Sequence, residues 1–270
     1  MKIPKVIFII PYRDREHQKH FFLKYYSYIM EDVTYNYEIM FIEQNHDHEF
    51  NRGAMKNIGF LSVKDIYPND YQNISLVFHD IDVSPYKKNL LNYETKRGMI
   101  KHFYGFNFTL GGIVSITGHD FENMNGFPNY WGWGYEDNVL HNRALNKGLY
   151  ISRSNFFKIG DSNILHLIDD FKKILDKTNH DNCKTDNFDN GINYIENLKY
   201  DIINNDDHNI IKVNHFTTKN GYNKNSLIYE DTEKLGIKTS NSTNTNSNSN
   251  TNNNRKNPIV CRRRNNLIFR

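Results

Sequence analysis

The chain has 270 residues, 38% hydrophobic and 14% aromatic, enough for one large domain or two small ones with a substantial core. No run of 18 apolar residues occurs, which excludes a transmembrane helix, and the apolar start Val6–Ile10 meets Pro11 too soon for a signal peptide. The net charge of +3 is unevenly spread: without the six basic residues of 255–270 it becomes −3, so the globular part is mildly acidic and no nucleic-acid partner is expected.

Lys5–Ile10 is a continuous apolar run, the pattern of a buried parallel strand. Arg15–Met30 reads as a helix, with Phe21, Phe22, Tyr25 and Ile29 at near-helical spacing. Tyr37–Ile42 is a second strand and Arg52–Ile66 a second helix, with Met55, Ile58, Gly59 and Val63 on one face. Ser75–Phe78 is a third strand. This alternation implies a mostly parallel sheet covered by helices, an α/β fold whose ligands bind at the carboxyl ends of the strands. Three polar clusters sit at those ends: Tyr12–Arg15, Gln44–Arg52 and Asp80–Asp82. Beyond Pro85 the pattern turns aromatic and irregular, with an apolar run at Ile113–Ile116 and a Gly/Trp-rich stretch at Gly126–Gly134. A helix opens at Glu136-Asp137 and runs to Gly148. Residues 170–220 are polar, with weak helical segments. Residues 240–254 are all Ser, Thr or Asn and form an expected disordered linker, leaving 1–239 as one domain and 255–270 as a basic tail. Cys183 and Cys261 lie far apart, which excludes a disulfide scaffold and fits a reducing compartment. With no targeting signal in view, cytoplasmic residence is expected.

Several of these residues carry chemistry. Asp80 and Asp82 follow a buried strand onto an open sheet end, where hard cations such as Mn²⁺ take carboxylate oxygens and share substrate phosphates. A turn or cap is the plainer use of such a pair. Arg13, Arg15 and Arg52 suit a diphosphate as well as surface ion pairs. His166, after an apolar run, is a candidate imidazole ligand or a structural histidine. Trp131 and Trp133, spaced by glycines, suit stacking on a sugar ring or closing over a ligand. Asp137 beside them can act as general base toward a hydroxyl, though an acid there also complements a helix dipole.

In order, these stretches resemble the beta-1,4-galactosyltransferase family, inverting transferases of the GT-A fold. Ile9-Ile10-Pro11-Tyr12-Arg13-Asp14-Arg15 is similar to the family's Pro-Phe-Arg-Asn-Arg element, and Phe50-Asn51-Arg52 to its Phe-Asn-Arg element. Phe78-His79-Asp80-Ile81-Asp82 resembles its Asp-Val-Asp strand end. Asn125 to Asp137, with Trp131-Gly132-Trp133-Gly134-Tyr135-Glu136-Asp137, resembles its signature. The likeness runs in register from about Ile9 to Arg153.

The resemblance implies a fold of the GT-A nucleotide-diphospho-sugar transferase type and a UDP-sugar donor. Its donor contacts would be Pro11, Tyr12, Arg13, Asp14, Arg15, Phe50, Asn51, Arg52, Ile81, Asp82 and Trp133. It also implies a Mn²⁺ held by Asp82 and His166, a loop carrying Trp133, and Asp137 as base. Tyr135, Glu136, Asp137 and Asn138 would line the pocket of a glycan or glycoconjugate acceptor. Thr109 stands where the family commonly has tyrosine, and the smaller side chain leaves room that makes UDP-GalNAc an alternative to UDP-Gal. Asn138 and Tyr135 depart from the signature. A degenerate carbohydrate-binding module, or an enzyme using UDP-Glc or UDP-GlcNAc, are the alternatives.

Overall fold

The computed structural model describes residues 2–167 and 174–229; the expected linker and basic tail lie outside them. Strand β1 (Val6–Tyr12) is buried along its whole length, and its alternate residues face opposite layers. Helix α1 (Glu16–Ile29) follows, then β2 (Tyr37–Gln44), helix α2 (Arg52–Ile66) and β3 (Ser75–His79). Both β2 and β3 pair in parallel with β1, with Val6 opposite Tyr37 on one side and Ser75 on the other. Val6, Phe8 and Ile10 pack with Phe22, Tyr26 and Ile29 of α1. Ile7 and Ile9 pack with Ala54, Met55, Ile58 and Val63 of α2. Each such side chain buried gains about 1.5–3 kcal/mol, so the two layers hold the sheet against its ordering entropy. Gly59 sets the α2–β1 spacing, because a Cβ there would lie 2.5 Å from a methyl of Ile9.

After β3 the chain turns through β4 (Val83–Pro85) and returns as β5 (Met99–Gly105) and β6 (Ile113–Thr117). β6 pairs antiparallel with both β3 and β5. Helices α3 (Gly118–Asn123) and α4 (Glu136–Asn146) come next, then the short strands β7 (Tyr150–Ser152), β8 (Phe157–Lys158) and β9 (Ile164–His166). β9 lies antiparallel to β4 and sets His166 opposite Val83. β10 (Ile174–Asp176), α5 (Asn179–Lys184), β11 (Glu196–Asn204), β12 (Asn209–Thr217) and β13 (Leu227–Tyr229) complete the described chain. The main sheet runs β11-β12-β2-β1-β3-β6-β5-β7, with β8 beside β5. Its centre is parallel and the sequence order matches the expected α/β alternation.

One expectation is corrected. Residues 196–217 form a long hairpin rather than weak helices, and β12 extends the parallel core alongside β2. Ile211, Val213 and Phe216 are buried on one side of β12, and β-branched and aromatic residues favour a pleated surface over a helix. Cys183 is buried and packed with Tyr130 and Val139.

Candidate active site

The parallel strands deliver Tyr12, Gln44 and His79 to one edge of the sheet, as the three polar clusters require. Asp80 and Asp82, one residue apart, then diverge. Asp82 faces His166, with its Oδ2 3.8 Å from Nε2. The β4–β9 ladder sets that approach, and Leu167 N–H donates to Asp82 O at 2.7 Å. Tyr104 OH lies 3.3 Å from His166 Nδ1, which orients the ring with Nε2 toward the carboxylate. At 3.8 Å the two groups are too far apart for a hydrogen bond and close enough to share one ion. Burial works to raise the Asp82 carboxyl, yet His166, Arg52 and Arg15 hold it below the usual carboxylate range. An ionised carboxylate facing an oriented imidazole is a donor pair that suits Mn²⁺.

Asp80 turns the other way, into a buried cluster. Its carboxylate accepts from Arg52 Nη1 at 3.2 Å. The same guanidinium donates to Glu136 Oε1 from Nε at 2.9 Å and to Asp137 Oδ2 from Nη2 at 3.2 Å. Lys56 Nζ adds a bond of 3.3 Å to Asp137 Oδ1. Burial raises the Asp80 carboxyl against Arg52 and Lys56, with Asp82 and Asp137 adding to the rise. Arg52 therefore bridges three carboxylates in this structure, an arrangement that differs from an arginine open toward a diphosphate. Lys56 carries no sequence motif, and only its place one turn along α2 from Arg52 hints at a role.

Glu136 and Asp137 open α4 and are 4% and 3% exposed, which fits a pocket floor better than a solvated helix cap. Tyr135 before them takes the left-handed conformation at φ 72°, allowing the chain to turn sharply into the helix. Leu110 N–H donates to Asp137 O at 3.0 Å, and Gly111 lies directly against its carboxylate. Thr109, beside that contact, is buried and bonds Phe106 O at 3.3 Å. Asn138 is buried on α4.

The other expected donor contacts occupy the same edge. Arg13 donates to the backbone carbonyl of His48, and its Nε lies 3.3 Å from Asp14, whose side chain is largely exposed. Arg15 stands at the start of α1. Pro11, Tyr12 and Ile81 are buried, and Phe50 packs on the α2 layer. Tyr12 OH accepts from Lys19 Nζ at 3.0 Å, and burial then Glu43 and Glu16 push its own proton loss to far higher pH. Asn51 caps α2 through a 2.9 Å bond from Ala54 N–H, while its buried Nδ2 has no partner among the described residues. Of the two tryptophans, Trp131 is core, stacked on Phe216 at 5.3 Å. Trp133 is half-buried in a loop whose Gly132 and Gly134 both have positive φ, and its backbone N–H donates to Ile174 O at 2.6 Å.

Two residues outside the expected site hold this loop in place. Asn57 of α2 donates to Phe127 O at 2.7 Å and accepts from Phe127 N–H at 2.9 Å. Arg143, wholly buried on α4, grips Asp186 and also donates to Gly126 O at 2.9 Å and Asn190 O at 2.7 Å. His102 supports the opposite wall. Its Nε2–H lies 3.0 Å from Gly111 O, while Nδ1 accepts from Arg153 Nε at 3.1 Å.

The sheet order and a strand-end site with a carboxylate–imidazole pair define a GT-A-type nucleotide-sugar transferase fold. Two solved structures share it. The catalytic domain of Drosophila beta-1,4-galactosyltransferase 7 with xylobiose gives a TM-score of 0.63 at 24% identity, covering 78% of this chain and 94% of that one. A variant of the same enzyme with manganese, UDP-Gal and xylobiose gives 0.65 at 22%, with the same coverage. The N-terminal region of glycosyl transferase group 7 matches residues 2–94, and the N-terminal domain of galactosyltransferase matches residues 99–167. The chain belongs to the beta-1,4-galactosyltransferase family. Mouse beta-1,4-galactosyltransferase 1 is 36% identical over 160 residues, 56% of this chain and 39% of that protein. Beta-1,4-galactosyltransferase 7 of Drosophila melanogaster is 30% identical over 168 residues, 58% of this chain and 50% of that protein. The chain thus spans half or less of the length of these two relatives.

Proposed function

We propose that the protein is a hexosyltransferase that moves galactose, or GalNAc, from a UDP-sugar to a hydroxyl of a sugar acceptor, with inversion to a β linkage. The observation that carries this is the pairing of two half-sites at one sheet edge. Asp82 faces His166 across 3.8 Å, and Asp80 and Arg52 join them to the buried Asp137. The solved Drosophila enzyme with manganese, UDP-Gal and xylobiose supports the same donor and acceptor classes here.

Asp82 and His166 would hold a Mn²⁺ that, when bound, offsets the charge of the leaving diphosphate. Arg13 and Arg15 add positive charge on the donor side, and the half-buried Trp133 is suited to covering the bound donor and excluding water. Asp137 accepts the proton of the attacking hydroxyl, while Glu136 beside it orients the acceptor. Proton removal and in-line attack on the anomeric carbon form one displacement, so an α-linked donor yields a β product. Thr109 bears on whether an N-acetyl group is admitted.

The test incubates the purified protein with Mn²⁺ and each of UDP-Gal, UDP-GalNAc, UDP-Glc and UDP-GlcNAc, with and without xylose, glucose or GlcNAc, and measures released UDP. Acceptor-stimulated release that needs Mn²⁺ and is lost in Asp82→Ala supports the proposal. UDP binding with no release from any donor favours a sugar-binding module.

A further inference from the structure

The acceptor side of the site holds a second buried cation. Lys56 is 1% exposed, with Nζ 3.3 Å from Asp137 Oδ1 and 4.0 Å from Asp80 Oδ1. It also lies 4.4 Å from the centre of the Phe127 ring. A lysine is seldom wholly buried, because removing an ammonium from water costs several kcal/mol unless it is paired. A leucine or methionine would fill the space against Phe127 without that penalty, so packing does not account for the charge.

We infer that Lys56 is a positioning residue for Asp137, clamping the carboxylate oxygen that Arg52 does not hold and favouring the ionised form. The inference rests on Asp137 as the base of the proposed reaction. Arg52 and Lys56 face Asp137 from α2, Asp80 from the end of β3, Glu136 from α4 itself and His102 from β5. The guanidinium is shared among Asp80, Glu136 and Asp137, whereas the ammonium makes its one close bond to Asp137. Without Lys56, Arg52 is the cation left to these three carboxylates among the described residues, and Asp137 holds its proton to higher pH. The lysine thus sets the pH at which the base becomes available and fixes where its oxygens lie.

The test labels the full chain with ¹³C-carboxyl aspartate and identifies the Asp137 resonance by its loss in Asp137→Asn. Its titration midpoint is compared in the native protein, Lys56→Met and Lys56→Arg. The account expects the midpoint to rise by about one pH unit or more in Lys56→Met. The acid limb of kcat/KM should move by the same amount, the KM for UDP-sugar should hold, and Lys56→Arg should restore the native midpoint. If Lys56→Met does not fold, Lys56→Gln, which removes the charge and keeps a donor, replaces it. A folded charge-removed variant with an unmoved Asp137 midpoint overturns the inference, whatever its melting temperature. Were no form to transfer sugar, the proposed function would fail, but the carboxyl titration would still decide the role of Lys56.

Discussion

At Gly111 a Cβ atom would lie 2.2 Å from Asp137 Oδ2, closer than any real contact allows. The carboxylate cannot swing away freely, because Arg52 and Lys56 hold its two oxygens. Gly111→Ala should therefore displace the proposed base, Asp137, without touching the Asp82–His166 pair. The expected outcome is a kcat lower by about 100-fold with UDP affinity retained, read by steady-state kinetics and calorimetry. Unchanged kcat would show that Asp137 does not need this position. Asp82, Asp137 and His166 were legible as candidates because each closes an apolar run or opens a helix. Lys56 was not, because a lysine inside a helix reads as a solvated face until its burial is known. Arg52 reads from the sequence as a diphosphate contact or an ion-pair partner, and its three carboxylate partners, 28 to 85 residues away, have no local signature.

Among the elements, the loop 125–135 is anchored at its Asn125–Phe127 end. Arg143 on α4 ties it to the 186–190 segment, and Asn57 on α2 ties it to the second layer. Removing one partner of a buried ion pair costs about 3–5 kcal/mol, so Arg143→Met should lower the unfolding free energy by that much, measured by urea titration followed by circular dichroism. A loss under 1 kcal/mol would mean the segment is held by other contacts. Trp133 offers a second test, since Trp131 is buried 94% and quenches little. Acrylamide quenching of the half-exposed Trp133 should fall when UDP-sugar and Mn²⁺ are added, and the change should vanish in Trp133→Phe. Unaltered quenching would contradict a loop that covers the donor. The strands β1, β2 and β3 and the helices between them were readable from periodicity alone. The β11–β12 hairpin was not, because β11 is an edge strand with Ile202 and Ile203 41% and 43% exposed among polar neighbours. Edge strands that are mostly solvated lose the alternation on which a strand assignment depends.

For the whole molecule, buried neutral histidines dictate the pH range of stability. Burial holds His79 at about 4 and His102 at about 3, both below the usual value near 6.5. His79 Nδ1–H donates to Asp80 O at 2.8 Å, so its Nε2 accepts from Tyr26 OH, and a second ring proton would break that bond. As pH falls from 6.5 toward 4, the unfolded chain takes up protons that the native fold refuses. Stability is therefore full above 6.5 and is lost on acidification through that window, by on the order of 3 kcal/mol for each histidine. Urea midpoints measured from pH 7 to pH 4 should fall steadily; a flat profile would contradict this account. The same histidines support the strand end at Asp80 and the wall at Gly111, so acid should disturb the site as the fold weakens.

The central claim is that Asp137 and the Asp82–His166 pair together carry one in-line displacement. The most direct measurement is the anomeric configuration of the transferred sugar, read by proton NMR of the product formed from an α-linked UDP-sugar. The account predicts a β anomer, with product absent in Asp137→Asn. An α product, or a β product formed equally well by Asp137→Asn, would contradict it.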